Sequence, residues 1–136
     1  MATVSVEKDF PAAAEVVWSA LERTGDVADW IPSLRKSWME GDVRHVEFAD
    51  GSPARERIVA LDGDRRTYTY TYVDGPLPLE RYESTVRVHP AGEGACRVTW
   101  SADFAAGSPA VEQELAVSIE GMYGDALAGL AAQLTD

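Results

Sequence analysis

Between Leu34 and Phe104 the apolar residues recur at every second position, in runs broken by Gly41, "ADGSPA", "LDGD", "DGPLPL" and "PAGEGA". Period two with glycine- and proline-rich punctuation predicts a meander of antiparallel strands. A sheet that long curls, and its concave face has to be covered. The segment after it is suited to that. Ser108 can cap a helix whose first residue is Pro109, and Val111, Leu115, Ile119, Met122, Ala126, Leu130 and Leu134 then form one apolar stripe. The opening of the chain completes an α+β layout. "TVSVEKDF" alternates Val4, Val6 and Phe10 with Ser5, Glu7 and Asp9, as a half-buried strand does. After Pro11, "AAAEVVWSALER" places Ala13, Val17, Ala20 and Leu21 at helical spacing, and Gly25 ends it. Asp26 is placed to cap a second short helix, "VADWI", which Pro32 terminates.

A length of 136 residues suits one domain, 1–136, large enough for a core and a cavity. Cys96 is the single cysteine, so neither an intrachain disulfide nor a cysteine metal cage is available. A net charge of −11 opposes binding to nucleic acid or to an anionic membrane. "MATVSVEKDF" lacks the apolar run of a signal peptide and no segment reaches the length of a membrane span, so a cytoplasmic location is expected. Monomer and homodimer are not distinguished. The partner class left open is a small hydrophobic molecule.

Alternation also assigns side chains to faces. In "TYTYTY", Tyr68, Tyr70 and Tyr72 point one way and Thr67, Thr69 and Thr71 the other. Tyr82, Ser84, Val86 and Val88 share a face of the next strand, and Val98, Trp100, Ala102 and Phe104 a face of the last. Val86, Val88 and Phe104 read as core. Tyr70, Tyr72, Tyr82 and Trp100 read equally well as the wall of a cavity, because hydroxyls and an indole are costly in a dry core. Glu56 shares a face with Ile58, opposite Arg55, Arg57 and Val59. An inward carboxylate must be paired, hydrogen-bonded or protonated. It is either half of a salt bridge, to Lys8 or Arg35, or an anchor or general base for whatever enters. Val46 and Phe48 face inward, opposite His45 and Glu47, so His45 points to solvent. His89 reads as a surface residue in a turn, and the two histidines have no carboxylate at ligand spacing, so no metal is expected. Cys96 has no histidine near it and is not a nucleophile. No phosphate-cradling loop or other cofactor motif occurs. Gly121, Gly124 and Gly129 are unusual inside a long helix; a kink, close approach to the sheet or tips, and room for a ligand beside Met122 and Tyr123 each account for them.

Three stretches, "VSVEKDFPAAAEVVWSALERTGDVADWIPSL", "RERIVALDGDRRTYTYTYVDGPLPLERYESTVRV" and "VTWSADF", resemble the START/Bet v1-like superfamily. More narrowly, they resemble its bacterial polyketide cyclase/dehydrase branch, which is similar to the plant abscisic acid receptors. The resemblance spans almost the whole chain as many weak signals. It implies a helix-grip fold, with a seven-stranded curved antiparallel sheet around the long C-terminal helix, two short helices after the first strand, and an internal apolar cavity. It also implies that the tips 50-DGSPA-54 and 75-GPLPL-79 act as lids, with Leu77 and Leu79 facing the ligand. By the same resemblance Glu56 matches a polar ligand contact, Tyr82 a pocket tyrosine, and Arg35 the place of a lysine that meets a ligand carboxylate. A slip of one residue in "SLRKSWMEG" would bring in Lys36 instead. The receptors carry a His-Arg pair where this chain has Leu77 and Pro78, so hormone-dependent phosphatase docking is not expected.

Two functions follow. One is a cyclase- or dehydratase-like enzyme acting on a hydrophobic or aromatic, polyketide-like molecule, with Glu56 and Tyr82 moving protons. The ligand would be held by Arg35, Val46, Phe48, Tyr70, Tyr72, Leu77, Leu79, Trp100 and Met122. The other is a carrier or sensor that closes over the same kind of molecule without chemistry. The acid/base pair and the resemblance rank the enzyme first.

Overall fold

The computed structural model describes residues 1–134. The first strand, β1 (Ala2–Phe10), leads into α1 (Ala14–Leu21) and a 3-10 segment (Thr24–Asp29). Six strands follow: β2 (Leu34–Glu40), β3 (Val43–Phe48), β4 (Pro53–Asp62), β5 (Thr67–Asp74), β6 (Leu79–Pro90) and β7 (Cys96–Ala106). The chain then enters α2 (Pro109–Leu134). The strands form one antiparallel seven-stranded sheet in the order β1-β7-β6-β5-β4-β3-β2. Strands β1 and β2 are neighbours in the chain and opposite edges of the sheet. The two short helical elements carry the chain across.

Helix α2 starts where its sequence signals put it. The Val111 amide donates to Ser108 Oγ at 3.2 Å. Glu112, in the first turn, accepts from the Ala106 amide at 3.0 Å and meets the N-terminal amine at 3.2 Å, tying α2 to β7 and β1. The buried stripe consists of Leu115, Ile119, Tyr123, Ala126, Leu127 and Leu130. It packs with Val4 and Phe10 of β1, Val86 and Val88 of β6, Val98 and Phe104 of β7, and Val17 and Leu21 of α1 in one core. Ile119, Leu127 and Leu130 are fully buried, each stabilising by roughly 1.5–3 kcal/mol.

The entry to β2 differs from expectation. The helix predicted over 27–31 is a 3-10 segment that starts earlier, and Asp26 does not cap it. Asp26 is non-helical, and its carboxylate meets Arg23 at 3.6 Å instead. The capping oxygen comes from β2: Ser37 Oγ accepts from the Ala28 amide at 3.0 Å and donates to the Gly25 carbonyl at 2.8 Å. In α1 the buried face is carried by Ala14, Val17, Trp18, Ala20 and Leu21, so the apolar face starts one residue later than Ala13. The α2 glycines divide. A Cβ on Gly129 would overlap the carbonyl oxygen of Trp30, which makes it a close-approach glycine, whereas Gly121 and Gly124 face open space.

Candidate functional site

Between the concave face of the sheet and α2 lies a cavity of about 90 Å³. Its walls carry Val46 and Phe48 from β3, Glu56 from β4, Tyr70 and Tyr72 from β5, Tyr82 from β6, Trp100 from β7 and Met122 from α2. Leu77 and Leu79 line it at the β5–β6 tip. Pairing explains why these side chains converge: Glu56 lies opposite Tyr72, Ile58 opposite Tyr70, and Tyr82 opposite Phe104, so the inner positions of each strand fall in step.

The tip packs closely against its neighbours. Leu77 donates its amide to the Tyr72 hydroxyl at 3.1 Å. A Cβ on Gly75 would run into that hydroxyl and into Ala54 of β4, so glycine lets this tip lie against the start of β4. Outside, the Arg55 guanidinium grips Asp74 in a forked pair that joins the ends of β4 and β5, and holds the Asp74 carboxyl below its usual range.

Arg35 is not in the wall. Pairing between β2 and β3 shifts between Leu34 and Lys36, so Leu34 faces inward beside Phe48 while Arg35 turns out. There its guanidinium binds Glu47, with 58% of its side chain exposed. Lys36 is outside as well, its ammonium 4.9 Å from the Trp38 ring on the outer face, where Trp38 also stacks on His45. The inward cation is Arg44, whose side chain is 3% exposed. It follows from the alternation that places Val46 and Phe48 inward, extended back by two residues.

Arg44 supplies the partner that Glu56 requires, in place of Lys8 or Arg35. Arg44 Nε donates to Glu56 Oε1 at 2.9 Å, and Nη1 reaches the Thr24 carbonyl at 3.1 Å and the Tyr68 hydroxyl at 3.4 Å. The guanidinium also lies 4.7 Å from the Tyr70 ring centroid. Burial opposes its charge, but Glu56 and the neighbouring tyrosines outweigh burial and hold it more firmly protonated than a free guanidinium. Beside this ion pair is a hydroxyl cluster. Tyr82 bonds Tyr123, Tyr123 contacts Ser84 Oγ at 2.9 Å, and Trp100 Nε1 donates to Ser84 Oγ at 3.0 Å and to the Tyr70 hydroxyl at 3.2 Å. Trp100 stacks on Tyr123 with centroids 4.3 Å apart. Burial, reinforced by the neighbouring phenols, pushes Tyr70, Tyr82 and Tyr123 well above the usual phenol range, so all three are neutral hydrogen-bonding groups at neutral pH. The sequence marks Tyr123 only as a neighbour of ligand space. Its hydroxyl role depends on Ser84, 39 residues away.

A curved sheet gripping a C-terminal helix, with an apolar cavity between them that ends in buried polar groups, defines a Bet v1-like helix-grip protein. The chain belongs to the polyketide cyclase/dehydrase and lipid transport family, whose model matches residues 1–135. Protein XoxI from Bacillus cereus has the same fold, with 28% identity, a TM-score of 0.92, and 100% of this chain and 97% of that one covered. The Zhui aromatase/cyclase from a Streptomyces species matches at 17% identity and a TM-score of 0.85, over 98% of this chain and 93% of that one. Norcoclaurine synthase from Thalictrum flavum, solved with dopamine and hydroxybenzaldehyde, matches at 18% identity and a TM-score of 0.80, over 98% and 86%. The likeness to these two enzymes is one of fold. No curated protein matches the chain. No helix among the described residues is long and apolar enough to cross a membrane.

Proposed function

We propose that this protein binds a small hydrophobic or aromatic, polyketide-like molecule in the internal cavity and acts on it as a cyclase or dehydratase. The observation that carries this reading is the cavity's asymmetry: apolar walls lead to one buried end where a carboxylate, a guanidinium and three phenols meet. In such a reaction Glu56 takes a proton from a carbon beside a carbonyl while a neutral phenol O–H of the hydroxyl cluster hydrogen-bonds the developing enolate oxygen. The protonated Glu56 then gives that same proton to the departing hydroxyl, which leaves as water and restores the carboxylate. The neighbours that are named enzymes, an aromatase/cyclase and norcoclaurine synthase, support the reading through their shared fold.

Size bears on how a ligand enters. The cavity of about 90 Å³ is smaller than the roughly 150 Å³ of an enclosed apolar cavity that holds benzene, and part of its boundary is open to solvent. Displacement of the tip carrying Leu77 and Leu79 would enlarge it for an aromatic ring. That closable tip equally favours the second reading, a carrier or sensor without chemistry. Native mass spectrometry of freshly purified protein tests both, together with titration by a hydrophobic fluorescent probe. A retained small molecule or saturable binding is expected. A saturating probe that changes neither emission nor melting temperature would refute cavity binding. Retained ligand that is never converted, with Glu56→Gln binding it as the parent does, would identify the carrier.

A further inference from the structure

The directions of the buried hydroxyl protons follow from one fixed point. Ser84 Oγ lies 3.0 Å from the Ser101 carbonyl oxygen, which can only accept, so the Ser84 proton is committed there. In its 2.9 Å contact with Ser84, Tyr123 must therefore be the donor. With the Tyr123 proton so used, the bond between Tyr82 and Tyr123 runs from Tyr82 to Tyr123. With the Tyr82 proton used in turn, Tyr70 must be the donor in its contact with Tyr82. The protons all run one way, from Tyr70 through Tyr82, Tyr123 and Ser84 to the Ser101 backbone.

The last link differs from the others. Tyr70 and Tyr82 oxygens are 3.5 Å apart, beyond the roughly 2.5–3.0 Å of a good O–H···O bond. The Tyr70 proton is thus the one at the open end of the chain, which an incoming acceptor can take over at little cost, while the protons of Tyr82 and Tyr123 each already have an acceptor within the cluster. Trp100 donates into the Tyr70 oxygen at 3.2 Å, and Arg44 lies 4.7 Å from the ring; both make that O–H a stronger donor. The charge of the same region is balanced: Arg44 and Glu56 are the only charged residues among the described residues of the wall, and each answers the other.

We infer that Tyr70, and not Tyr82, is the group that gives a hydrogen bond to the ligand, and that the ligand is neutral and presents a carbonyl oxygen there. Tyr82 is a positioning residue that orients the chain behind it. This rests on the ligand-binding reading above and specifies which atom meets the ligand. An ionised carboxylate is disfavoured because no uncompensated cation in the wall offsets the loss of its hydration.

The test uses para-hydroxyacetophenone carrying an isotope-labelled carbonyl, with infrared spectroscopy of the bound ketone and a binding titration on the parent, Tyr70→Phe and Tyr82→Phe proteins. In the parent the carbonyl band should fall relative to its position in a dry apolar solvent. Tyr82→Phe should keep that lowered band, since it releases the Tyr70 proton. Tyr70→Phe should return the band to its dry position and raise Kd about fivefold to tenfold, the worth of one neutral hydrogen bond. Ionised para-hydroxybenzoate should bind the parent at least about tenfold more weakly than the ketone. A lowered band that survives in Tyr70→Phe, or is lost in Tyr82→Phe, overturns the assignment of Tyr70 while leaving cavity binding intact. Equal binding of the benzoate overturns the neutral-ligand inference. If the parent shows no saturable binding of the ketone, the ligand reading falls and this inference falls with it. Melting curves of both variants, each of which keeps its ring, separate the loss of a hydrogen bond from the loss of the fold.

Discussion

Changing Glu56 to glutamine strands a guanidinium. Arg44 is 2% exposed and its Nε bonds Glu56 at 2.9 Å, whereas the Glu56 side chain is 17% exposed at the cavity wall. Breaking a buried pair by removing one partner costs about 3–5 kcal/mol, and the lower end applies here because cavity water can reach the pair. At roughly 2.1 cal/mol/K per residue, 136 residues have an unfolding entropy near 0.29 kcal/mol/K, so about 3 kcal/mol lowers the melting temperature by about 10 °C. Scanning calorimetry on three proteins separates the causes. Glu56→Gln should melt about 10 °C below the parent. The double change Arg44→Met with Glu56→Leu removes both charges into apolar surroundings, and should return to within about 1 kcal/mol of the parent or exceed it. Bound probe tells whether the pair also serves a ligand: if the Glu56 carboxylate holds a polar group of the probe, Glu56→Gln weakens binding beyond what the melting shift explains. A Glu56→Gln protein that melts within about 2 °C of the parent would refute the stranded-charge argument. So would a double variant that melts as low as Glu56→Gln or lower.

Other outcomes follow from individual residues. Gly129→Ala should lower stability because its methyl would overlap the Trp30 carbonyl, while Gly121→Ala and Gly124→Ala, which face open space, should each gain about 0.5–1 kcal/mol in chemical denaturation. Leu77→Ala should weaken binding of a hydrophobic probe about tenfold and shift stability by less than about 1 kcal/mol, since Leu77 sits half-buried on a tip. Tyr70, Tyr82 and Tyr123 are held neutral by burial, so their folded-state pKa values lie above the unfolded value of about 10. That stability is fully present below pH 10 and is lost as pH rises past it. Tyrosinate absorbance should therefore rise together with loss of near-ultraviolet dichroism, and ionisation of these three phenols well before unfolding would contradict their burial.

The parts of this fold that a local rule governs were legible in the sequence. Ser108 and Pro109 announce α2 within a few residues of each other, and period two puts Tyr70, Tyr82 and Trp100 inward wherever pairing is regular. Failures occur where a distant group decides. Arg35 leaves the wall because pairing slips against β3, and nothing in "SLRKSWMEG" marks a bulge. Arg44 escapes notice because a lone arginine reads as surface until Glu56, on the next strand, is known to face it. The capping oxygen for the 3-10 segment comes from Ser37, and Gly129 is explained only by Trp30 arriving beside it. The proton directions depend on a backbone carbonyl at Ser101, which no side-chain pattern can reveal.

The pairing of β1 with β7 sets an order on synthesis. Ala2 lies opposite Phe104 and Phe10 opposite Cys96, so β1 has no partner until almost the whole sheet has been translated. At roughly 5–20 residues per second, that leaves an exposed, alternating apolar edge waiting on the order of 5–20 s. Ser5, Glu7 and Asp9 on its outward face supply polar groups and charge through that interval, as a lone strand needs if it is not to pair with another nascent chain. The same separation gives the native protein a closing contact of long range, so docking of β1 and α2 is the step expected to limit folding, and the cavity comes into being only when it is complete.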